Sequence, residues 1–318
     1  MSPSRYQARS SGCWARSGLL LLMLLWALPS AANRSLLVVS DGDNATHQTI
    51  VERLRSAVDG QNGAAMIERL DAQQVTMGIP TNLAPDLIIT VGARAAADVN
   101  GHSNGVPVLN VFLPKAAHQK INESSAQQTA AIVLDQPVRR QLAVARALLP
   151  TAQRAGFLRG GDALSGLQAL TEDAVGFGLA LNITTVEGDD DPATAIQQVL
   201  ATSDVVIATF DPQVYTPATA KWLLYLAFQR QRPIVGFSYA LLKAGAVAAV
   251  FSTPEQIAQH AADLVGEWLR TGLLPSGTTY PRYYHIGLNA PVAKKLGIVT
   301  PSDDELEREV RELLGERP

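Results

Sequence analysis

Short apolar runs alternate with amphipathic segments along most of the chain, and the two patterns differ in period. Apolar runs of about four to eight residues are typical of buried strands, whereas apolar positions three and four residues apart indicate helices with one packed face. The stretch Ser203–Phe251 shows this alternation most clearly. It holds an apolar run at Asp204–Phe210, helical spacing over Thr219–Gln231 and a second apolar run at Pro233–Gly236. A strand, a helix and a strand with short connections form a βαβ unit, which predicts a parallel sheet.

The same alternation predicts strands and helices along the rest of the chain. Further strands are predicted at Ser35–Ser40, Ala64–Leu70, Pro85–Val91, Val106–Leu113, Ala130–Leu134, Arg154–Leu158, Asn182–Val186 and Tyr283–Leu288. Further helices are predicted at Thr46–Val58, Ala95–Val99, Val138–Leu149, Leu164–Val175 and Ala193–Leu200. Two capping boxes, Thr253–Gln256 and Ser302–Glu305, open two more helices. The repeated units predict two α/β halves that join near Ile132–Pro137.

The first 32 residues are typical of a targeting segment rather than of a folded domain. Three arginines precede the apolar run Leu19–Leu28, and small residues follow it up to Ala32. This order predicts a signal peptide that is cleaved after Ala32, and therefore a periplasmic mature protein. The apolar run is shorter than the roughly 20 residues that a membrane-spanning helix needs. An uncleaved N-terminal anchor is the alternative.

Composition and charge narrow the class of partner. The chain of 318 residues is 47% hydrophobic and 17% charged, which is long and apolar enough for two globular domains. Its net charge is −3, and Arg5, Arg9 and Arg16 lie in the first 32 residues, which hold no acid, so the remainder carries −6. An acidic body without a basic run argues against a nucleic-acid partner.

Cysteine and histidine usage argues against several kinds of chemistry. Cys13 is the only cysteine and precedes the apolar run, so a lipoprotein signal is not expected. A mature chain without thiols has no disulfides, no thiolate metal ligands and no cysteine nucleophile. The five histidines lack H-x-H and H-E-x-x-H spacing, and no G-x-G-x-x-G follows a strand. We therefore expect neither a metal site nor a cofactor.

Four stretches of the sequence carry a family resemblance. They are Pro85–Ala97, Gln141–Leu158 with its LP-x-x-x-R-x-G-F-L pattern, Arg232–Val250, and the tail Ile286–Gly297. In this order they resemble the periplasmic substrate-binding proteins of ABC transporters, in the subfamily that includes tryptophan- and tyrosine-binding members. The resemblance covers most of the mature chain, and it rests on the ordered set rather than on any single motif.

The resemblance implies a fold of class α/β, the type I periplasmic-binding arrangement. Two doubly wound parallel-sheet lobes would face each other across a cleft, and three chain crossings would form a hinge. The N-terminal lobe would comprise residues 33–134 and 251–283, and the C-terminal lobe residues 135–250 and 284–318. The crossings would lie near Leu134–Pro137, Val250–Thr253 and Pro281–Ile286.

The resemblance also implies a function without catalysis. The protein would be the solute-binding component of an ABC transporter, and an aromatic amino acid-like solute is one candidate for its small-molecule ligand. It would deliver that ligand to an inner-membrane ABC permease and is expected to be a monomer. An alternative keeps the fold as a periplasmic protein-interaction or sensory module that transports no ligand.

Candidate ligand-binding residues lie where predicted strands end, because ligands of parallel sheets bind there. Backbone amides at two predicted helix starts, Gly92-Ala93 and Ser238-Tyr239, could hold a carboxylate. Asp41 or Asp211 could hold an ammonium group. Phenylalanines near the same edge could stack on an aromatic solute. Equally, the aspartates could only form turns and the phenylalanines could belong to the core. The predicted ligand-binding residues are Ser40, Asp41, Gly42, Gly92, Ala93, Arg94, Phe112, Arg159, Thr209, Phe210, Asp211, Phe237 and Ser238.

Two departures from the family pattern fall in the predicted ligand loops. Arg159 stands where related sequences more often have an uncharged turn residue, and Pro114-Lys115 replaces an Asp-Pro pair. Arg159 could clamp a carboxylate or phosphate, or it could be a solvated loop residue. These departures bear on the ligand more than on the fold, and they motivate the interaction-module alternative.

A serine hydrolase is the third hypothesis. Gly236–Ala240 follows a strand, precedes a helix and approximates the G-x-S-x-G nucleophile elbow around Ser238. Asp263 and His285 follow in the order used by α/β-hydrolases. Against this hypothesis, the last glycine of the motif is alanine, and Asp263 lies inside a predicted amphipathic helix.

Overall fold

The computed structural model describes residues 34–316, apart from residues 43, 61–64, 126–128, 161–165 and 187–191. The predicted signal peptide and its cleavage site lie outside the described residues. None of the helices in the described part of the chain is long and apolar enough to cross a membrane.

Strands and helices alternate along the described residues. The strands are β1 (Arg34–Ser40), β2 (Ala65–Asp71), β3 (Leu87–Val91), β4 (Val108–Leu113), β5 (Ala130–Val133), β6 (Arg154–Gly160), β7 (Ala180–Val186), β8 (Val205–Ile207), β9 (Ile234–Gly236), β10 (Ala248–Phe251), β11 (Thr278–Thr279) and β12 (His285–Leu288). The helices are α1 (Ala45–Asp59), α2 (Ala72–Val75), α3 (Ala93–Val99), α4 (Lys115–Glu123), α5 (Val138–Leu148), α6 (Leu167–Gly176), α7 (Pro192–Thr202), α8 (Pro217–Gln229), α9 (Tyr239–Ala244), α10 (Pro254–Thr271), α11 (Ala290–Lys295) and α12 (Asp303–Leu314).

The strands form two six-stranded sheets. The first has the order β11-β5-β4-β3-β1-β2, and the second has the order β12-β10-β9-β8-β6-β7. The predicted βαβ unit is confirmed, because β8 and β9 pair in parallel and α8 connects them. Every neighbouring pair is parallel except β10 and β12. The chain leaves the second sheet after Phe251 and re-enters it at His285, which lies opposite Phe251. β12 therefore runs antiparallel to β10.

Both faces of each sheet are covered, which explains why the strands are continuous apolar runs. In β1, Leu36 and Val38 belong to one buried cluster, and Leu37 and Val39 belong to another on the opposite face. The first cluster also contains residues of α1 and α10. The described residues thus form the two doubly wound lobes that the family resemblance implies.

The chain passes between the two sheets three times. The passages are residues 134–137 between β5 and α5, residues 252–253 between β10 and α10, and residues 280–284 between β11 and β12. After the second passage α10 packs on the first sheet, and after the third α12 packs on α5 beside the second sheet. The helical pattern of α10 and α12 does not by itself specify which sheet each helix packs on. Both of their predicted capping boxes are present.

Hydrogen bonds tie the three passages together. Gln136 Nε2 donates to Ser252 Oγ at 2.9 Å, and Ser252 Oγ donates to the carbonyl oxygen of Tyr283 at 2.6 Å. Arg140, at the start of α5, donates from Nη1 to Gln136 Oε1 and to the carbonyl oxygen of Pro281, both at 2.8 Å. The three hinge passages are therefore joined by one connected network of polar side chains.

The spacing of apolar residues does not predict α4, because a polar side chain lies on the buried face of this helix. His118 is 1% exposed, and its two ring nitrogens lie 3.1 Å from Thr278 Oγ1 and 3.0 Å from Thr129 Oγ1. A histidine satisfied in this way does not give the apolar spacing that indicates a helix.

The aromatic side chains of α8 are not core residues. Their helical spacing predicts packing, but Trp222, Tyr225 and Phe228 are 42%, 53% and 45% exposed. The prediction is wrong because the buried face of α8 is formed instead by Leu223, Leu224 and Ala227.

Candidate ligand-binding cleft

A cavity of about 350 Å³ lies at the carboxyl ends of strands from both sheets. The first sheet contributes β4 and the segment after β5, and the second contributes the segments after β8 and β9. All three hinge passages contribute lining residues. Ligands of open α/β sheets bind at this edge, so the cavity is the candidate site. Its lining residues are Phe112, Leu134, Asp135, Gln136, Val138, Gln141, Thr209, Phe210, Phe237, Ser238, Tyr239, Phe251, Ser252, Pro254 and Tyr280.

Aromatic rings form much of the cavity wall. Phe210 and Phe237 meet edge to face with centroids 5.6 Å apart, and Tyr239 and Phe251 are tilted at the same separation. Phe210 is 39% exposed and Tyr239 is 56% exposed, so a large share of their ring surface is free to contact a ligand. This wall suits a ligand with an apolar or aromatic body.

Phe112 reaches the cavity through a local backbone distortion. Its φ is +60°, in the left-handed region that bulky side chains rarely adopt. The pairing of β4 with β5 shifts register between Val111 and Leu113, which leaves Phe112 in a bulge. The ring of His47 meets the Phe112 ring edge to face at 5.8 Å. Backbone strain of this kind concentrates at ligand-binding sites.

In most strand positions an alanine variant is more stable than a glycine variant. The strain at Phe112 predicts the opposite order of stability there. Both Phe112→Gly and Phe112→Ala remove the ring, but only alanine keeps the cost of a side chain at positive φ. We expect Phe112→Gly to unfold with a free energy about 1 kcal/mol higher than Phe112→Ala in urea titrations. The control is Phe157, which is buried in β6. There, alanine is expected to be the more stable variant by roughly 0.5–1 kcal/mol, and the same order at Phe112 would contradict the strain.

Asp135 is the acidic residue of the cavity wall. Its Oδ2 accepts a hydrogen bond from the backbone amide of Lys115 at 2.7 Å. Burial raises the pKa of Asp135, although the Lys115 amide and the Lys115 charge oppose this. The sequence-based prediction did not include Asp135, even though it ends a predicted strand as Asp41 and Asp211 do. The same strand-end argument could have found it.

Gln141 connects the hinge helix to the cavity. It is 1% exposed, and its Nε2 donates to the carbonyl oxygen of Ala208 at 2.6 Å and to that of Val235 at 3.4 Å. The Ala208 carbonyl directly follows β8 and the Val235 carbonyl belongs to β9, so they precede the loops that carry Phe210 and Phe237. A buried glutamine inside an amphipathic helix gave no sequence signal for this role.

Five of the thirteen predicted ligand-binding residues line the cavity, and the other eight do not. The five are Phe112, Thr209, Phe210, Phe237 and Ser238. Six of the others lie together where β1 and β3 end: Ser40, Asp41, Gly42, Gly92, Ala93 and Arg94. The last two, Arg159 and Asp211, lie at the end of β6 and in the loop after β8.

The group at the ends of β1 and β3 is held by contacts of its own. Arg94 Nη1 lies 3.9 Å from Asp41 Oδ1, and the Gly42 amide donates to Asp71 Oδ2 at 2.9 Å. Ser40 is fully buried, and its Oγ has no hydrogen-bond partner among the described residues. Whether these residues bind ligand stays a prediction.

Gly92 brings His47 close to the start of α3. Its φ is +93°, and a Cβ at this position would lie 2.5 Å from His47 Cε1. The His47 Nδ1 is buried without a hydrogen-bond partner among the described residues, and burial lowers the pKa of His47. No side chain caps the first amides of the seven-residue helix α3, and whether they bind a ligand carboxylate stays a prediction.

Asp211 forms a turn, as the simpler interpretation predicts. Its Oδ2 accepts from the Gly160 amide at 2.8 Å and its Oδ1 accepts from the Gln213 amide at 3.0 Å. These bonds tie the end of β6 to the loop after β8. Arg159 precedes Gly160, and its Nη2 is buried without a hydrogen-bond partner in the described part of the chain.

The residues of the hydrolase hypothesis are engaged separately. Ser238 Oγ accepts from the Leu241 amide at 3.2 Å and caps α9. Asp263 accepts from the Tyr283 hydroxyl at 2.8 Å and pairs with Arg282 at 3.2 Å. His285 lies against the Phe251 ring. Within the described residues, no group of side chains is arranged to hold a metal ion either.

Comparison with known proteins identifies the family. A family model described as ABC transporter substrate binding protein matches residues 55–308. The chain belongs to this family. The family comprises solute-binding proteins rather than enzymes, so the hydrolase hypothesis loses its remaining support. A search of curated proteins finds no match.

Three solved structures share the fold at low sequence identity. An ABC domain from Streptococcus pneumonia in complex with L-Trp is 15% identical with a TM-score of 0.56, covering 86% of this chain and 98% of that one. A ligand-free, open substrate binding protein with adhesive properties from Clostridium difficile is 13% identical with a TM-score of 0.65, covering 85% and 97%. A conserved domain protein from Vibrio cholerae is 17% identical with a TM-score of 0.55, covering 87% and 98%. At these identities the likeness concerns the fold alone.

Proposed function

We propose that this substrate-binding protein captures a small solute in the cavity and delivers it to an inner-membrane ABC permease. The observation that carries the proposal is the cavity itself, which opens at the carboxyl ends of both sheets and has an aromatic wall. The resemblance suggests an aromatic amino acid-like solute, and the rings of Phe112, Phe210 and Phe237 support the aromatic part of that suggestion.

The binding step would be a closure of two lobes about the hinge. The moving bodies are residues 33–134 with 251–283, and residues 135–250 with 284–318. A ligand held by walls from both sheets favours the closed state, because only that state makes all of its contacts. The connected hinge network of Gln136, Arg140 and Ser252 would keep the lobes in register during this motion.

The cavity favours solute transport over an interaction module without ligand. In a module of that second kind the protein's own side chains would fill the cleft. Here about 350 Å³ remains open, with polar groups from Asp135, Thr209 and Ser238 among the rings. A cavity that is polar at a few points and otherwise apolar is typical of small-molecule sites.

Export completes the proposal. The signal peptide would end at Ala32, and the mature protein would work in the periplasm as a monomer that is not lipidated. Family membership supports this location, since a permease in the inner membrane needs its binding protein on the outer side.

Two measurements on the exported protein test this function. Native mass spectrometry of protein purified from periplasm is expected to give a mass that lacks residues 1–32 and a second species that retains a small solute. A thermal-shift screen of amino acids and other small solutes is expected to find at least one that raises the melting temperature, by mass action. If no solute produces a shift and none co-purifies, solute transport is contradicted.

A further inference from the structure

The cavity wall carries one charged side chain. Among its fifteen lining residues Asp135 is the only acid, and none is lysine, arginine or histidine. A ligand carboxylate would therefore lie in this cavity without a cationic partner and close to an anion. A buried charge without a partner is strongly unfavourable. The wall discriminates against anions.

Three cations contact residues of the wall and already have partners within the protein. Lys115 Nζ donates to the Tyr280 hydroxyl at 3.0 Å, and Lys243 Nζ lies 5.7 Å from the centroid of Tyr239. Arg140 binds Gln136 and Pro281 and stacks on a tyrosine of the hinge. None of these three cations lines the cavity. Recruiting any of them for a carboxylate would break contacts that hold the wall or the hinge.

The rings on the wall suit a positive charge. The faces of aromatic rings are electron-rich and attract ammonium groups, more strongly where water is excluded. Phe112, Phe210, Phe237 and Phe251 all line the cavity, and none of them carries a protein cation in the described residues. Aromatic faces together with one carboxylate form the kind of site that recognises amines.

Asp135 is placed to pair with such a cation. It is half-buried at the start of a hinge passage, and one of its oxygens already accepts from the Lys115 amide. Burial costs the ionised form of Asp135 free energy, and a bound ammonium group would offset that cost. The body of the protein carries −6 once the first 32 residues are set aside, which also favours the approach of cations.

We propose that the cleft binds an organic cation: a small amine with an aromatic or apolar body and no carboxylate. This inference rests on the proposed solute-binding function and departs from it on one point. The resemblance suggests an amino acid, whereas the wall provides a charged partner for the ammonium group and no charged partner for the carboxylate.

Three related probes test the charge preference directly. Phenylalanine carries both charges, 2-phenylethylamine lacks its carboxylate, and 3-phenylpropionate lacks its amine. Isothermal titration of the exported protein is expected to show that 2-phenylethylamine binds at least tenfold more tightly than phenylalanine, and that 3-phenylpropionate does not bind. Phenylalanine binding as tightly as the amine, or more tightly, would overturn the inference while leaving solute binding intact.

Variants identify the residue responsible. Asp135→Asn is expected to weaken 2-phenylethylamine binding at least tenfold, whereas the matched change Asp304→Asn on exposed α12 leaves it unchanged. An unchanged affinity in Asp135→Asn, or amino acid binding that is lost in Arg159→Met, would contradict the inference. The comparison of probes on the unmodified protein does not depend on whether these variants fold.

A wider screen covers the case in which the phenyl group itself does not fit. If the thermal-shift screen finds another solute, a cation without a carboxylate supports the inference, and an anion or a zwitterion overturns it. If no solute binds at all, the proposed function fails together with this inference.

Discussion

Replacing Arg140 with alanine is expected to lower the free energy of unfolding by about 3 kcal/mol, because two buried acceptors are each left without a charged donor. Arg140 is 8% exposed and binds residues of the first and third hinge passages, Gln136 and Pro281. Its guanidinium lies 3.8 Å from the centroid of the Tyr284 ring, and its Nη2 lies 3.7 Å from Glu316 Oε1. Urea unfolding followed by circular dichroism would measure the loss.

The effect is large because several groups lose their partner at once. Without Arg140, the carbonyl oxygen of Pro281 and the Gln136 amide oxygen lose a charged donor inside the protein. A buried acceptor that is left unsatisfied costs roughly 1–3 kcal/mol. Glu316 would keep its hydrogen bond from the Tyr284 hydroxyl at 2.6 Å, so the C-terminal contact is weakened rather than lost.

The neighbouring arginine provides the control. Arg139 precedes Arg140 on α5 and is exposed, so Arg139→Ala is expected to change stability by less than about 0.5 kcal/mol. Arg140→Lys should lie between the two, because it keeps a charge but not the planar fork that reaches two oxygens. Equal stability of the two alanine variants would mean that Arg140 does not hold the hinge together.

Acidification from pH 7.5 to pH 5 is expected to cost the protein about 2 kcal/mol of stability through His260 alone. This histidine of α10 is 2% exposed, and its Nδ1 accepts a hydrogen bond from the Arg282 amide at 3.3 Å. Burial, together with the charge of Arg282, lowers the pKa of His260 to about 4, and Asp263 opposes the shift.

The direction follows from the protons bound by each state. The unfolded chain protonates His260 near its ordinary pKa of 6.5, whereas the folded protein does so only near 4. Between these values the unfolded state binds more protons, so falling pH favours unfolding. The stabilising contribution is complete above pH 6.5, declines as the pH falls, and is fully lost below about 4. Over the whole window it amounts to about 3 kcal/mol.

Substitution separates His260 from the other titrating groups. Burial also lowers the pKa of His47 and of His118, and both shifts have the same sign. Urea unfolding of wild type and His260→Gln at pH 7.5 and pH 5 would isolate the share of His260. The variant should lose about 2 kcal/mol less than wild type over this interval, since glutamine takes up no proton. Equal losses in the two proteins would contradict the assignment.

The site was partly predictable because strand ends can be identified from sequence. Thr209, Phe210, Phe237 and Ser238 follow short apolar runs, so the rule that ligands bind at carboxyl strand ends selected them. All four line the cavity, although their contact with a ligand stays a prediction. The same rule also selected Asp211, which turned out to bind the backbone amides of its own loops. A strand-end aspartate gives the same sequence signal whether it faces a ligand or caps a turn.

Other parts of the site had no local signal. Gln141 is one buried polar residue in an amphipathic helix, and its partners, the carbonyl oxygens of Ala208 and Val235, lie far away in the sequence. Phe112 looks like any strand residue, and only the register shift between β4 and β5 shows that its backbone is strained.

The sequence by itself determined the parallel sheets, the order of most elements, the capped late helices and the absence of cysteine after Cys13. These follow from periodicity and composition, which act over a few neighbouring residues. The tertiary structure decided which sheet each late element joins, which strand-end residues share a cavity, and how Arg140 and Ser252 together link the three hinge passages. Those outcomes depend on contacts between residues that are distant in the chain, and the periodicity of a single segment carries no information about its distant partners.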